Sequence, residues 1–133
     1  MPDKKIDSIN IDSDRLWKSL TEISVFGATP AGGLNRLAAS VADGQARDYV
    51  VTAAKEIGCT VRIDALGNTF MRWSGTDANA KVILIGSHLD SQPFGGKYDG
   101  IYGVMAGLEV LRALDASKTK TSHPIELAVW TNE

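Results

Sequence analysis

The sequence predicts an α/β fold on a mixed, largely parallel sheet, and three observations carry that prediction. VILIG (82–86) is a continuous β-branched run with no polar face, the pattern of a central strand covered on both sides, and IELAVW (125–130) reads as a second buried strand. Between them Ile101, Val104, Met105, Leu108, Leu111 and Leu114 recur at helical period. Upstream, TVRIDA (60–65) and TFMRW (69–73) alternate in the strand manner around LGN, which is a hairpin pattern. Strand, helix, strand in that order is a βαβ unit, so the last two strands are expected to be parallel and adjacent.

The other elements follow along the chain. Residues 1–12 read as a polar leader. From Ser13, the positions Leu16, Trp17, Leu20 and Ile23 give a helix over 13–25. GATPAGGLNR (27–36) is a loop by its glycines and proline. Ala46, Val50, Ala53, Ala54 and Ile57 mark a second helix over 42–57, with Gly58 as its stop. SGTDANAK is a surface loop. The third helix, 100–115, contains Gly100, Gly103 and Gly107. Each costs up to ~1 kcal/mol against alanine, so bare backbone there points to close packing on the sheet.

Composition narrows the function. A chain of 133 residues, 44% apolar and 23% charged, is one globular domain's worth. A formal charge of −2 disfavours nucleic acid or an anionic membrane as partner. No apolar run approaches the ~18 residues of a spanning helix, and MPDKKIDSIN lacks the apolar core of a signal peptide. Cys59, alone, forms no internal disulfide and reads as a small packing residue in a reducing, cytoplasmic setting.

The chemistry concentrates in GSHLDSQPFGGKYDG (86–100). Ligands in open α/β sheets bind outside the carboxyl ends of the strands. His88 follows one buried strand, Glu133 ends the next, and Asp99 opens the crossover helix at the same edge. Topology alone therefore brings the three together. His88 and Asp90 form a His-x-Asp pair, in which a carboxylate can hold the second nitrogen of a ligating imidazole. A strand-capping histidine is the simpler reading of that pair. Asp99 reads either as a helix cap or, between Gly95-Gly96 and Gly100, as a carboxylate bridging two divalent ions. Glu133 is either a solvated strand end or a general base for an attacking water. His123 is a loop residue, and Trp17, Trp73 and Trp130 belong to the core or its edge. GGLNR (32–36) is too loose for a phosphate loop, and no Gly-x-Ser-x-Gly elbow occurs.

At GSHLDSQPFGGKYDGIYGVMAGLEVLRAL and VWTNE, with GATPAGGLNRLAAS, DGQARDYV and DALGN upstream, the sequence resembles one family. This is the N-carbamoyl-L-amino-acid hydrolases, with the allantoate amidohydrolases and β-ureidopropionases. They are two-metal amidohydrolases of the zinc aminopeptidase and carboxypeptidase superfamily. The resemblance implies a zinc-peptidase-like three-layer αβα catalytic domain, of which residues 13–133 would be the N-terminal part. It implies that His88 and Asp99 are metal ligands, Asp99 bridging two ions (Zn²⁺, Mn²⁺, Co²⁺ or Ni²⁺). It makes Asp90 the partner of His88 and Glu133 the general base, and implies a cis Asp99–Gly100 bond. The implied reaction is hydrolysis of a carbamoyl or ureido C–N bond in a small substrate, by a homodimer.

In the family, a second glutamate, further histidines and a dimerisation domain follow the position of Glu133. A chain with only His88 and Asp99 as ligands has fewer than a catalytic zinc site normally has, and is expected to be an inactive portion of a larger hydrolase. Ending a sheet on IELAVW would also leave a long apolar edge. Two further readings stay open: a dipeptidase or aminoacylase of the same superfamily, and a non-catalytic truncated interaction domain.

Overall fold

The computed structural model describes residues 9–133, so the part of the polar leader before Ile9 lies outside the described residues. The element order is α1 (Ser13–Ile23), α2 (Val41–Glu56), β1 (Thr60–Ile63), β2 (Thr69–Trp73), β3 (Ile83–His88), α3 (Ile101–Ala116) and β4 (Ile125–Trp130). Each helix and strand expected from the sequence is present within a few residues. Asp12 caps α1 by accepting from the Arg15 amide, and Ser40 caps α2 by accepting from the Asp43 amide. No described helix is long and apolar enough to cross a membrane.

The sheet runs β1-β2-β4-β3. β1 pairs antiparallel with β2, and β2 with β4, whereas β3 and β4 are parallel with His88 opposite Trp130. The βαβ expectation therefore holds, but two placements are corrected. VILIG is the outer strand of the described sheet, with Ile83 and Leu84 about half exposed. IELAVW lies inside it, between β2 and β3. The apolar edge thus belongs to β3 instead of β4. Both runs look alike because β3 also carries apolar side chains on its two faces; pairing order is invisible to that pattern.

The core lies on one sheet face, where Met71, Ile125, Leu127 and Val129 meet apolar residues of all three helices. α3 approaches closely, because a Cβ at Gly107 would stand 2.7 Å from Leu127 Cδ1 and one at Gly103 2.9 Å from Ser87 Cβ. α1 is tied to α3 by Arg15, whose guanidinium donates twice to the buried Glu109 carboxylate (2.6 and 2.8 Å). On the opposite face, Arg62 and Arg72 pair with Glu126, and Phe70 meets Trp130 edge-on. Trp17 departs from the core expectation: it is 61% exposed and leans on Tyr98. Its neighbours Leu20 and Ile23 take the buried stripe of α1 instead.

Candidate metal centre

Three elements deliver three ligand-type side chains to the carboxyl edge of the parallel strands. His88 is the last residue of β3, Asp99 lies on the turn into α3, and Glu133 lies three residues past β4. Each offers one ligand atom, and those atoms all lie within 4.8 Å of one another. With Ser91, Gln92, Gly95 and Gly96, Asp99 and Glu133 line a cavity of about 220 Å³.

The surroundings of His88 select its free nitrogen. Nδ1 lies 3.0 Å from the main-chain oxygen of Asp90 and 3.4 Å from its Oδ1. Both neighbours are acceptors, so the neutral ring is assigned its hydrogen on Nδ1, leaving the Nε2 lone pair for a cation. Asp90 is 5% exposed, and its Oδ1 has no hydrogen-bond partner. Its Oδ2 accepts from the Glu133 amide at 3.2 Å. Asp90 therefore joins the ends of β3 and β4. An orphaned buried carboxylate oxygen beside an imidazole fits a site that gains charge when a cation arrives, because a cation on Nε2 strengthens the Nδ1–H donor.

The turn at Asp99 is tight. Gly100 adopts φ +71° and is itself the N-cap of α3, with no side chain capping the helix. The carboxylate of Asp99 is thus not used as the helix cap. A Cβ built at Gly100 would overlap the His88 ring, so only glycine lets the two strand-end elements meet. No described peptide bond is cis, which corrects the cis Asp99–Gly100 bond that the resemblance implies. The reversal rests on the positive φ of Gly100 instead.

His123 lies apart from this cluster, its Nδ1 meeting Lys81 O at 2.8 Å, as expected of a loop residue. The GGLNR loop has more importance than its glycines suggested. Leu34 exchanges backbone hydrogen bonds with Gly95 (2.9 and 2.8 Å), and Ser91 donates to Arg36 O at 2.7 Å. A Cβ at Gly33 would lie 2.5 Å from Gly95 O. Arg36 is fully buried and donates to the carbonyls of Ile23, Phe26 and Leu89. Burial pushes its pKa down to about 10, which still leaves it charged at neutral pH. The loop thereby braces residues 89–96, and its Arg36 fixes the carbonyl between His88 and Asp90. No local signal in the sequence marks Arg36 as buried, since what pairs it is carbonyls up to 53 residues away.

Fold and cluster together define an α/β protein with a candidate metal centre at the carboxyl edge of its parallel strands. The model of peptidase family M28 matches residues 68–133. The chain is 44% identical over 123 residues to an N-carbamoyl-L-amino-acid amidohydrolase of Rhizobium meliloti, covering 92% of this chain and 30% of that protein. It is 37% identical to the ureidoglycolate hydrolase of rice (Oryza sativa subsp. japonica), with 92% and 25% covered. A crystal structure of a hydantoinase/carbamoylase family amidase from Burkholderia vietnamiensis superposes with a TM-score of 0.93 at 53% identity, covering 95% of this chain and 30% of that one. Over the matched residues the chain is thus similar to proteins of the carbamoylase and ureidoglycolate hydrolase group. It spans less than a third of the length of these relatives.

Proposed function

We propose that the protein belongs to a metal-dependent amidohydrolase that cleaves the C–N bond of an N-carbamoyl-L-amino acid or a related ureido compound. The observation carrying this reading is the convergence of His88, Asp99 and Glu133 within 4.8 Å. It occurs in a chain homologous to enzymes named for such bonds. His88 through Nε2 and Asp99 through its carboxylate would hold the cation, with Asp99 shared between two ions. When bound, a divalent ion supplies Lewis-acid polarisation of the substrate carbonyl and lowers the pKa of water.

The chain's own groups do the rest. Asp90 keeps the hydrogen of His88 on Nδ1. Glu133 takes a proton from the attacking water as its oxygen bonds to the carbonyl carbon, and returns that proton to the nitrogen as the C–N bond breaks. The products are the free amine and a carbamic acid, so atoms balance with water as the sole co-reactant. The reading includes a cytoplasmic homodimer and a choice among Zn²⁺, Mn²⁺, Co²⁺ and Ni²⁺, since histidine and carboxylate donors do not discriminate between them.

A second reading, a dipeptidase or aminoacylase, draws on the match to a peptidase family model. Assay of the protein expressed from its complete gene separates the two. N-carbamoyl-L-amino acids or ureidoglycolate should be turned over, and dipeptides and N-acyl-amino acids should not. Cleavage of dipeptides with the carbamoyl substrates untouched would overturn the first reading. In the same protein Glu133→Gln should retain its metal and lose turnover by roughly 10²-fold or more, as expected for a general base. Loss of metal together with turnover would make Glu133 a ligand instead.

A further inference from the structure

Glu133 stands beyond the last ladder pair of β4, His88 with Trp130, so the sheet itself does not fix it. Its amide donates to Asp90 Oδ2 at 3.2 Å, and the segment leading to it is held by contacts from two further parts of the chain. Arg47 of α2 donates to Trp130 O at 2.9 Å and to Val129 O at 3.5 Å, while also reaching Gly67 O and Thr69 Oγ1 at 3.2 Å. The β1–β2 turn contributes the rest. The Thr131 amide donates to Asn68 Oδ1 at 2.9 Å, and Thr131 Oγ1 donates to Leu66 O at 2.7 Å.

That turn is itself rigid. Asp64 accepts from the amides of Leu66 and Asn68 and from Asn68 Nδ2, at 2.9 to 3.0 Å. With Nδ2 committed to a carboxylate, Asn68 must present its oxygen to Thr131. Gly67, at φ +84°, brings its bare backbone so close that a Cβ would stand 3.2 Å from Thr131 Oγ1. Arg47 also spans the distance from α2 to the turn through Gly67 O and binds Asp43 at 3.1 Å.

From this geometry we infer that the β1–β2 turn is a latch that positions the Glu133 carboxylate over the metal centre. Asn68 and Thr131 are its positioning pair and Arg47 its clamp. The inference rests on the reading of Glu133 as the base. Thr131→Val removes only the hydroxyl donor, and Thr131→Ser keeps it; Asn68→Ala removes the acceptor for the Thr131 amide. Each variant of the protein from the complete gene is loaded with Mn²⁺ and assayed on N-carbamoyl-L-alanine beside Glu133→Gln.

Thr131→Val and Asn68→Ala should each lower kcat roughly 10- to 100-fold, the scale of a sub-ångström to ångström misplacement of a reacting group. KM and bound Mn²⁺ should stay at the wild-type values, and Thr131→Ser should restore kcat to within about 3-fold. Wild-type kcat in both variants, with Glu133→Gln inactive, would overturn the latch while leaving the base reading intact. A fall in kcat that merely tracks lost Mn²⁺ or raised KM would make the turn structural, and would also overturn it. Full activity of Glu133→Gln would instead sink the reading of the base, and the latch with it. Should Thr131→Val fail to fold, Asn68→Ala alone decides by the same split.

Discussion

At the scale of single residues, the candidate centre depends on what each side chain is denied as much as on what it touches. His88 Nδ1 faces acceptors, which leaves Nε2 for a cation. Asp99 is not the cap of α3, since Gly100 takes that place. His88→Ala and Asp99→Ala should therefore each reduce retained divalent metal to well below half the wild-type content and abolish turnover, as read by metal analysis after dialysis. Gly100→Ala should do the same without removing any ligand. Its methyl would overlap the imidazole, and alanine at φ +71° is strained by roughly 1 kcal/mol or more. Wild-type metal content in Gly100→Ala would show that the ring and the turn are not in contact.

Cys59 is the opposite kind of residue. It is buried, and burial pushes its thiol up to about 11. Native protein should react with iodoacetamide far more slowly than unfolded protein at pH 8. The small packing residue read from the sequence is what the structure contains.

At the scale of elements, the packing of α3 is the point of greatest tension. Alanine at Gly107 would gain up to ~1 kcal/mol of helix propensity. It would also push its methyl to 2.7 Å from Leu127 Cδ1, deep in the core. Overpacking of this kind costs about 1–3 kcal/mol, so the net effect should be destabilising. A urea-unfolding midpoint higher than wild type would contradict that. The α1–α3 tie gives a second test. Arg15→Ala would leave Glu109, 1% exposed, without its cation, and should cost about 2 kcal/mol, discounted for the partly exposed arginine.

Elements were also where sequence reading had its clearest successes and failures. Helical period, alternation and the Gly58 stop placed α1 to α3 and the hairpin, because each is a local pattern. Glycine at 103 and 107 correctly announced a close helix–sheet contact. The pairing order of β3 and β4 was not legible, since an apolar strand looks the same at an edge and inside a sheet. The convergence of His88, Asp99 and Glu133 was legible where topology did the work, since all three follow from the carboxyl-edge rule. Arg36, Arg47 and Asn68 were not, because what they hold is backbone far away in sequence, and no local pattern records which carbonyls an arginine will reach.

At the scale of the whole molecule, one core lies under one sheet face, and the candidate metal centre among the described residues lies at one edge of that sheet. Burial raises the Cys59 thiol from 9.0 to about 11, and burial also raises the Tyr49 phenol. A group whose folded pKa is raised contributes its full stability below the unfolded value and loses it as pH climbs through the folded one. The urea midpoint should therefore fall between pH 9 and 11, and Cys59→Ala should show a shallower fall over that window.

The proposed function requires His88 and Asp99 to hold a divalent cation at the sheet edge. The most direct test is equilibrium dialysis of the protein from its complete gene against Zn²⁺ or Mn²⁺, with metal counted per chain, beside His88→Ala and Asp99→Ala. The folded wild type should retain metal, and both variants should lose most of it while keeping their fold. Equal metal content in all three, or none in the folded wild type, would contradict it.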